Sequence, residues 1–469
     1  MTVNHSLNQG KKSMKLTLMI LSASAMVAWG QDYGFTNFAG FPLAPGGADD
    51  PPGMTGFGRL NLPTDAAVDK LGNVYVVDYN NSTIRQITPA GEMTTIAGKA
   101  GQSGSANGNG SVARFNNPVS IAVDANRNLY VSDRGNHTIR KIRPPTPTDT
   151  NWVVSLLAGT VGIGGTNDGH PGRFQSTHGI AVDSAGIVYV ADRGGHTIRK
   201  IFLQDIDMVV KTIVGAPLQF ACPGVDGTNS AVRFCNDAPT GLTVDSAGIL
   251  YTTDLNNSTV RKVAPIGTNW VVTTIAGYTT IDPFGNPSGG FTDGVGTNAQ
   301  FNQPYNLTVD SAGNLYVADT YNDTIRKIKP AGTNWVVTTI GGSIQVTGSD
   351  DGVGSSALFN LPFGIAVDTN GSLYVADYQN SRVTKGTPPA APPGPPQITS
   401  IKFVSGNVQI DFTSDTADTP GMFTLQSSGT VNGTYADVAP PATITQLGPG
   451  SFRAVVAPSG GIQFYRVKK

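Results

Sequence analysis

A short phrase recurs six times between Val68 and Lys385, and it constrains the fold more than any other feature of the chain. In each copy, one aspartate is followed nine residues later by a second. The distance between successive copies varies from 55 to 65 residues. A fixed unit joined by connections of variable length indicates a repeat fold with a constant core and variable loops. The first aspartates are Asp69, Asp124, Asp183, Asp245, Asp310 and Asp368, and the second are Asp78, Asp133, Asp192, Asp254, Asp319 and Asp377.

Each copy contains short runs of β-branched and aromatic residues between turn residues, which is typical of strands. Asp310 and Gly313 bracket the first turn of the fifth copy, where glycine supplies a left-handed backbone. The second copy has Arg127 near that position, so we expect its turn to differ. No segment has helical periodicity over a useful length, and the chain is predicted to be all-β. The predicted strands of the fifth copy are Leu307–Val309, Leu315–Ala318, Thr324–Ile328 and Val336–Ile340.

Four-stranded sheets repeated about an axis form a β-propeller. The copies resemble the NHL repeat, as in Gly313-Asn-Leu-Tyr-Val-Ala-Asp319 of the fifth copy. The resemblance covers roughly residues 35–386 and implies a six-bladed propeller over residues 31–386. The residues that recur in every blade, the aspartates and an arginine seven residues after the second aspartate in five copies, are expected to pair with one another or to cap turns.

The ends of the repeat region predict how the ring closes. An outer strand follows each of the first five copies, but the sixth runs from Lys385 directly into Gly386-Thr-Pro-Pro. A matching strand lies ahead of the first copy, in residues 35–40. We predict that this segment is the outermost strand of the last blade, because an open ring would expose two sheet edges.

Residues 1–30 are typical of an export signal. The apolar run Leu16–Val27 follows several lysines, and Ala28-Trp-Gly30 has the small-x-small form of a cleavage site. The true start is either Met1 or Met14. Because the run is shorter than a spanning helix, we expect a secreted, periplasmic or cell-surface protein without a transmembrane segment.

Two further regions follow the propeller. Residues 387–397 are rich in proline and are predicted to form a semi-rigid linker. Residues 398–469 alternate between apolar and polar side chains, which predicts a small β-sandwich. The closing Gly461-Ile-Gln-Phe-Tyr-Arg-Val467 resembles fibronectin type III-like modules of exported bacterial proteins. That resemblance implies a role in spacing or attachment.

Cysteine and charge content exclude several classes of function. The chain has two cysteines, Cys222 and Cys235, in one predicted loop. In an exported protein such a pair favours a disulfide over a metal site. The net charge is −1 and the pI about 6.5, so no global field attracts nucleic acid or an anionic membrane. We expect a monomer that binds no nucleic acid.

Candidate binding residues lie where the inner strands begin, at the predicted mouth of the channel. These positions vary between copies while the repeated residues do not, as expected for a site placed on a constant frame. The alternative is a plugged or water-filled channel without a ligand. The candidates are Asp65, His178, Thr240, Tyr305, Asn306 and Phe363.

The sequence has few residues in arrangements that are typical of catalytic sites. Resemblance to NHL-type amidating lyases would imply a zinc site of three inward histidines, but only His178 has a mouth position. Calcium-dependent lactonase propellers require a glutamate ligand, and Glu92, in a hairpin away from the mouth, is the single glutamate. Acidic Asp-Gly loops between blades are expected to form turns rather than bind calcium. Trp152, Trp270 and Trp335, each of which follows Thr-Asn, are expected to cover the outer hairpins.

The sequence therefore favours a non-catalytic binding or scaffold protein without cofactor or metal. It would recognise a protein or a polysaccharide through the loop-rich face of the propeller. The alternative is a metal-dependent propeller enzyme of the lyase or lactonase/hydrolase type. In that case Asp65, His178 and Asn306 must converge on one ion at the channel mouth.

Overall fold

The computed structural model describes residues 5–7, 14–16, 32–278, 280–281, 287–389, 397–405, 407–414, 419–428, 436–438, 441–457 and 464–468. The chain divides into two compact units, one spanning Gly30–Pro389 and the other comprising Met1–Trp29 and Ala390–Lys469. Most of the predicted export signal, 1–30, and of the predicted linker, 387–397, lies outside the described residues. Within the first of these segments, the short strands His5–Leu7 and Met14–Leu16 pair with each other.

The all-β prediction is confirmed. Strands pair antiparallel in every described sheet, and the helical elements in this part of the chain are three-residue 3-10 turns. None of the helices formed by described residues is long and apolar enough to cross a membrane.

The described residues of the unit Gly30–Pro389 form six sheets and one two-stranded hairpin, Thr280–Ile281 with Pro287–Ser288. Each sheet takes the number of the repeat to which most of its strands belong. Sheet 1 contains Pro63–Val68, Val74–Asp78, Thr83–Ile87 and Met93–Gly98. Sheet 2 contains Gly108–Asn109, Pro118–Val123, Leu129–Asp133, Thr138–Arg143 and Val153–Gly159. Sheet 3 contains Thr177–Val182, Val188–Asp192, Thr197–Gln204 and Asp207–Val214.

The other three sheets have five strands each. Sheet 4 contains Gly227–Thr228, Leu242–Val244, Leu250–Asp254, Thr259–Ile266 and Asn269–Ala276. Sheet 5 contains Gly294–Val295, Asn306–Val309, Leu315–Asp319, Thr324–Ala331 and Asn334–Gly341, so its outer hairpin is longer than predicted. Sheet 6 contains Gly34–Gly40, Gly352–Val353, Pro362–Val367, Leu373–Asp377 and Arg382–Thr387.

The sheets are arranged in a closed ring. The first strand of each repeat is the inner strand of its sheet, and the inner strands contact one another in the order 1-2-3-4-5-6-1. An apolar cluster fills each contact between neighbouring sheets, including the contact between sheets 6 and 1. Burial of apolar surface stabilises a fold by roughly 25 cal/mol per Å², so each cluster holds two sheets together.

The amino-terminal strand completes sheet 6. Gly34–Gly40 pairs antiparallel with Arg382–Thr387, with Phe35 opposite Gly386. A short strand, Gly352–Val353, pairs with its other side, so the amino-terminal strand is next to the edge instead of outermost. A Cβ added at Gly386 would lie 2.5 Å from the Phe35 ring, which explains a glycine at that position.

The turn at Arg127 does not differ from the glycine turns, and that prediction is wrong. Arg127 adopts φ 65°, and its N–H donates to the Asp124 carbonyl at 3.0 Å, as Gly72 does to Asp69 in sheet 1. A left-handed backbone is unfavourable for a side chain with a Cβ. Here the Arg127 guanidinium pairs with Asp69 of the neighbouring sheet at 3.2 Å, a contact that glycine cannot make.

Cys222 and Cys235 form a disulfide in the segment between sheets 3 and 4, as predicted. The Cys235 N–H donates to the carboxylate of Asp254 at 3.1 Å. Asp254 ends the strand Leu250–Asp254 of sheet 4. The bridged loop is therefore attached to the sheet that follows it.

The carboxy-terminal residues form two antiparallel sheets. The rings of Phe412, Phe423 and Phe452 lie 4.8–5.5 Å apart, centroid to centroid, and bring residues of both sheets into one apolar cluster. The first sheet contains Gln397–Val404, Asn407–Thr413, Thr443–Gly448 and Ser451–Val456, and the second contains Thr424–Ser428, Ala436–Asp437 and Phe464–Lys468.

Candidate functional site

The repeated aspartates and arginines form the frame of the ring. In sheet 1, Arg85 donates to Asp78 at 2.8 Å and to Asp49, in the loop entering the sheet, at 2.7 Å. The same three-way arrangement is found in sheets 3 to 6, and in sheet 2 the loop position is an asparagine, Asn107. Loop aspartates in Asp-Gly turns are thus bound to guanidinium groups. The sets in sheets 3 to 6 are Asp192, Arg199 and Asp168; Asp254, Arg261 and Asp226; Asp319, Arg326 and Asp293; and Asp377, Arg382 and Asp351.

The sixth repeat also has its arginine, although at another position in the sequence. Arg382 comes five residues after Asp377, and its Nε donates to that carboxylate at 2.9 Å. The position seven residues after Asp377, where the other repeats have arginine, is Thr384. Sequence spacing missed this residue because the side chain reaches the same carboxylate from a neighbouring position on the strand.

The tryptophans contact the preceding sheet. Trp152 of sheet 2 packs edge-on against Tyr75 of sheet 1, with ring centroids 5.7 Å apart. Equivalent pairs are Trp270 with Tyr189 and Trp335 with Tyr251. They join neighbouring sheets, a role that prediction from one repeat at a time did not include.

Asp65 and Asn306 meet inside the ring, because the inner strands of sheets 1 and 5 bring them together. The Asn306 amide donates to Asp65 Oδ1 at 2.8 Å, and the Ser120 hydroxyl and the Ile121 N–H donate to Oδ2. Asp65 is 3% exposed, and this burial raises the pKa of its carboxyl to about 7, although the hydrogen bonds act in the opposite direction.

Glycines occupy the equivalent position on three other inner strands, as Gly179, Gly241 and Gly364. A Cβ at Gly364 would lie 2.4 Å from the Asp65 Cα, and one at Gly241 would lie 2.6 Å from the Asn306 Cα. This layer of the ring is therefore packed closed. A cavity of about 170 Å³ is lined by this layer and by the inner-strand residues that follow it. The mouth lies at the other side, where the inner strands begin.

His178 lies one residue earlier on its strand than this closed layer and faces the mouth. It is 1% exposed, and Arg193 donates to its Nε2 at 3.1 Å. Because a guanidinium only donates, Nε2 must be the acceptor and Nδ1 carries the proton. Nδ1 then donates to the Tyr305 hydroxyl at 3.3 Å. Burial, together with the positive charges of Arg193 and Arg134, holds the pKa of His178 well below its usual value.

Aromatic rings form one wall of the mouth. Tyr305 stacks on Phe363 with centroids 4.2 Å apart, and Phe363 stacks on Tyr378 at 4.1 Å. Burial raises the pKa of Tyr305 to about 12, so its hydroxyl stays protonated. Thr240, another predicted candidate, is 1% exposed, and its hydroxyl makes no hydrogen bond to any described residue.

Sequence reasoning missed a second set of mouth residues. They come directly after the second aspartate of each repeat, in 3-10 turns or bends beside the inner strands. Like the predicted candidates they vary between repeats, and this signal could have revealed them. The set is Tyr79, Arg134, Arg193, Leu255, Thr320 and Tyr378.

Exposed apolar side chains surround the mouth. They lie in four turns that connect one sheet to the next, and 41–69% of each residue is exposed. Each turn is bonded to the turn that carries a mouth residue: Leu218 N–H donates to the Gly195 carbonyl at 3.0 Å, and Gly162 donates to Asn136 at 3.1 Å. We call this set the turn rim. It consists of Phe41, Leu43, Val161, Ile163, Leu218, Phe220, Ile344 and Val346.

The predicted candidates thus separate into two groups. Asp65 and Asn306 bind each other in the closed layer, whereas His178, Tyr305 and Phe363 form part of the mouth. His178 does not converge with Asp65 on one point, since its ring nitrogens contact Arg193 and Tyr305. Across the described ranges, no group of three or more His, Cys, Asp or Glu residues is placed to hold a metal ion.

Comparisons with known proteins place the repeats. Residues 60–87, 115–142, 174–201 and 359–385 match the NHL repeat. NHL repeat-containing protein 2 of Homo sapiens is 33% identical over 299 residues, which are 58% of this chain and 39% of that protein. Protein SUPPRESSOR OF QUENCHING 1, chloroplastic, of Arabidopsis thaliana is 28% identical over 334 residues, which are 69% of this chain and 30% of that protein. The chain thus spans well under half the length of either relative.

A solved structure shares the fold. An auxiliary nutrient binding protein from Bacteroides thetaiotaomicron superposes with a TM-score of 0.54 at 16% identity, covering 78% of this chain and 79% of that one. The repeat matches and the NHL-repeat relatives together support the NHL β-propeller family.

Proposed function

We propose that this NHL-repeat chain is a non-catalytic binding protein that recognises a partner protein through the mouth face of a six-bladed propeller. The blade count is supported by the six sheets and by the closed order of their inner strands. Residues 398–469 would form a fibronectin type III-like β-sandwich that spaces or attaches the propeller. The disulfide supports an oxidising location outside the cytoplasm.

The turn rim is the observation that carries the proposal. Large exposed apolar residues on one face, around a centre with arginine and tyrosine, are the composition of protein-binding surfaces. Leu218 and Phe220, which are separated by one residue, are 61% and 53% exposed. A solvated surface gains nothing from such residues, whereas an interface that covers them gains their burial.

The contacts of the two candidate carboxylates favour a binding function over metal-dependent catalysis. The oxygens of Asp65 already accept four hydrogen bonds, two of them from backbone N–H groups that cannot turn away. Glu92 accepts a hydrogen bond from the Gly53 N–H at 3.2 Å, in the hairpin where the sequence places it. Asp65 cannot serve as a ligand without breaking its contacts, and Glu92 lies in a hairpin outside the inner strands.

Site-specific photocrosslinking tests the proposal. A photoreactive phenylalanine analogue is placed at Phe220 in the turn rim and, as a control, at Ile206, which is 91% exposed in the outer hairpin of the same sheet. We expect one discrete protein adduct from position 220 and none from position 206. The adduct should disappear when Leu218→Ser is added. Equal adducts from both positions, or no protein adduct in the native host, would show that the turn rim does not bind a protein.

A further inference from the structure

We propose that the mouth holds a carboxylate of the partner protein between Arg134 and Arg193. This inference rests on the proposed function and names the chemistry that the centre of the face recognises. The two arginines follow the second aspartates of sheets 2 and 3, which are neighbours in the ring. Their positions place two positive charges on one side of the mouth, beside His178.

The positive charge is largely uncompensated. In the described part of the chain, no carboxylate pairs with Arg134. Arg193 meets Asp237 at 3.3 Å, but the Asp237 side chain is 53% exposed, so water screens that pair. A bound anion would satisfy the donors that the protein itself leaves open.

The polar groups around the two arginines also favour an anion. His178 is neutral and gives its one proton to Tyr305, so the Tyr305 hydroxyl accepts there and its own proton is available to a ligand. The phenols of Tyr79 and Tyr378 lie near enough to Tyr305 to affect its pKa. Each of these hydroxyls can donate. A cation would find two guanidinium groups instead of carboxylates and would be repelled.

The aromatic wall further restricts the kinds of ligand that the mouth can bind. The stacked rings of Tyr305, Phe363 and Tyr378 belong to sheets 5 and 6 and lie in the same mouth as the arginines, since Tyr305 contacts His178, which Arg193 also contacts. A carboxylate next to an apolar side chain would contact both regions at once. A carboxyl-terminal residue or an acidic residue beside a large apolar one has this form, and planar carboxylates suit the two-pronged donor geometry of arginine.

Titration with N-acetylphenylalanine and with its amide tests this chemistry in the full chain. The two probes differ only in one group, which is a charged carboxylate in the acid and a neutral carboxamide in the amide. We expect the acid to bind with a Kd on the order of millimolar, as befits a fragment, and the amide to bind at least about tenfold more weakly. Binding of the acid should weaken as salt rises, because the contact is ionic. Equal affinity for acid and amide would overturn the inference.

Variants assign the effect to the arginines. Arg134→Gln and Arg193→Gln should each weaken the acid by about tenfold or more. The control is Arg143→Gln. Arg143 ends the strand Thr138–Arg143 of sheet 2 and pairs with Asp149. This control variant should change nothing. Unaltered thermal unfolding would show that the mouth variants are folded. Loss of binding in the control as well, or none in the mouth variants, would contradict the assignment.

The outcomes separate this inference from the proposed function. If the Phe220 crosslink persists while N-acetylphenylalanine fails to bind, the partner is recognised without a carboxylate, and the inference alone fails. Trigalacturonate is the third probe. If it binds more tightly than N-acetylphenylalanine, and if Arg134→Gln abolishes the binding of trigalacturonate, the mouth recognises an acidic saccharide. Both the inference and the protein-partner proposal would then be wrong.

Discussion

At the scale of single residues, the aspartates of this chain have two different environments. Asp78 and its equivalents are buried with an arginine at hydrogen-bond distance. Asp65 is buried with neutral donors, from Ser120, Asn306 and two backbone groups. Desolvation outweighs the hydrogen bonds and raises the pKa of Asp65 to about 7, and burial also raises the pKa of Asp254 and of Asp377 to about 6 although their arginines act in the opposite direction. The closed layer of the ring is therefore sensitive to pH.

Asp65→Asn should change how stability depends on pH. The folded pKa of about 7 lies above the ordinary value of 3.8, so the stabilisation by protonated Asp65 is complete below about pH 4 and is lost as pH rises through 7. The free energy of unfolding of Asp65→Asn minus that of the wild type should rise over this range, by on the order of 4 kcal/mol. Urea unfolding between pH 4 and 8 measures it.

The contributions of other titrating groups cancel in the difference between the variant and the wild type. The hydrogen bond that an asparagine at this position cannot make adds a contribution to this difference that does not depend on pH. Asp350→Asn, at an exposed position, is the matched control and should give a flat difference. A flat difference for Asp65→Asn as well would show that Asp65 is ionised throughout and that its hydrogen bonds outweigh its burial.

At the scale of elements, the strands and their frame could be predicted, but contacts made across sheets could not. Periodicity and turn residues predicted four strands per repeat, because these are local preferences. The turn at Arg127 was misjudged because the Arg127 guanidinium pairs with Asp69 of another sheet, a contact that one repeat does not reveal. Arg382 was missed because a side chain can reach one carboxylate from two strand positions. The loop with Cys222 was predicted correctly, since two cysteines allow only one intramolecular pair.

Cys222→Ser should loosen the loop between sheets 3 and 4 and little else. The disulfide closes a loop with a sequence separation of 13, and a loop of this length contributes about 3 kcal/mol in the chain-entropy estimate. Limited proteolysis should cut faster within residues 216–239, while the other sheets keep their protection from hydrogen exchange. Wild-type protein treated with reductant should reproduce this pattern. General loss of exchange protection in the variant would show that the bridge supports the whole ring.

At the scale of the whole molecule, stability depends on closure. Six apolar clusters join the sheets of the ring, and the cluster between sheets 5 and 6 includes Tyr33 and Phe35 of the amino-terminal segment. The sequence predicted this strand exchange from the count of outer strands. It placed His178, Tyr305 and Phe363 at the mouth but missed Arg134 and Arg193, because they lie in turns outside the inner strands that were considered. Only the folded ring shows that Arg134, Arg193 and His178 belong together.

Deletion of residues 31–41 should destabilise the entire ring. The deletion removes Phe35, which is 1% exposed, and leaves the backbone of Arg382–Thr387 without its partner. Loss of one buried phenylalanine alone costs about 3–5 kcal/mol, and the exposed strand edge favours aggregation. Thermal unfolding and light scattering measure both effects. Phe41→Ala, at a residue that is 50% exposed, is the control. An unchanged melting temperature after the deletion would show that the ring does not depend on this strand.

The pairing of Gly34–Gly40 with Arg382–Thr387 also sets an order of events during synthesis. Gly34–Gly40 is synthesised before sheets 1 to 5 and has no partner until the last repeat is complete, about 340 residues later. At typical elongation rates this is a delay of roughly 20 to 70 s. Sheets 1 to 5 carry their own outer strands and can form during that time, whereas the amino-terminal strand must stay unpaired. Its affinity for any other strand edge is therefore a hazard that lasts for most of the protein's biogenesis.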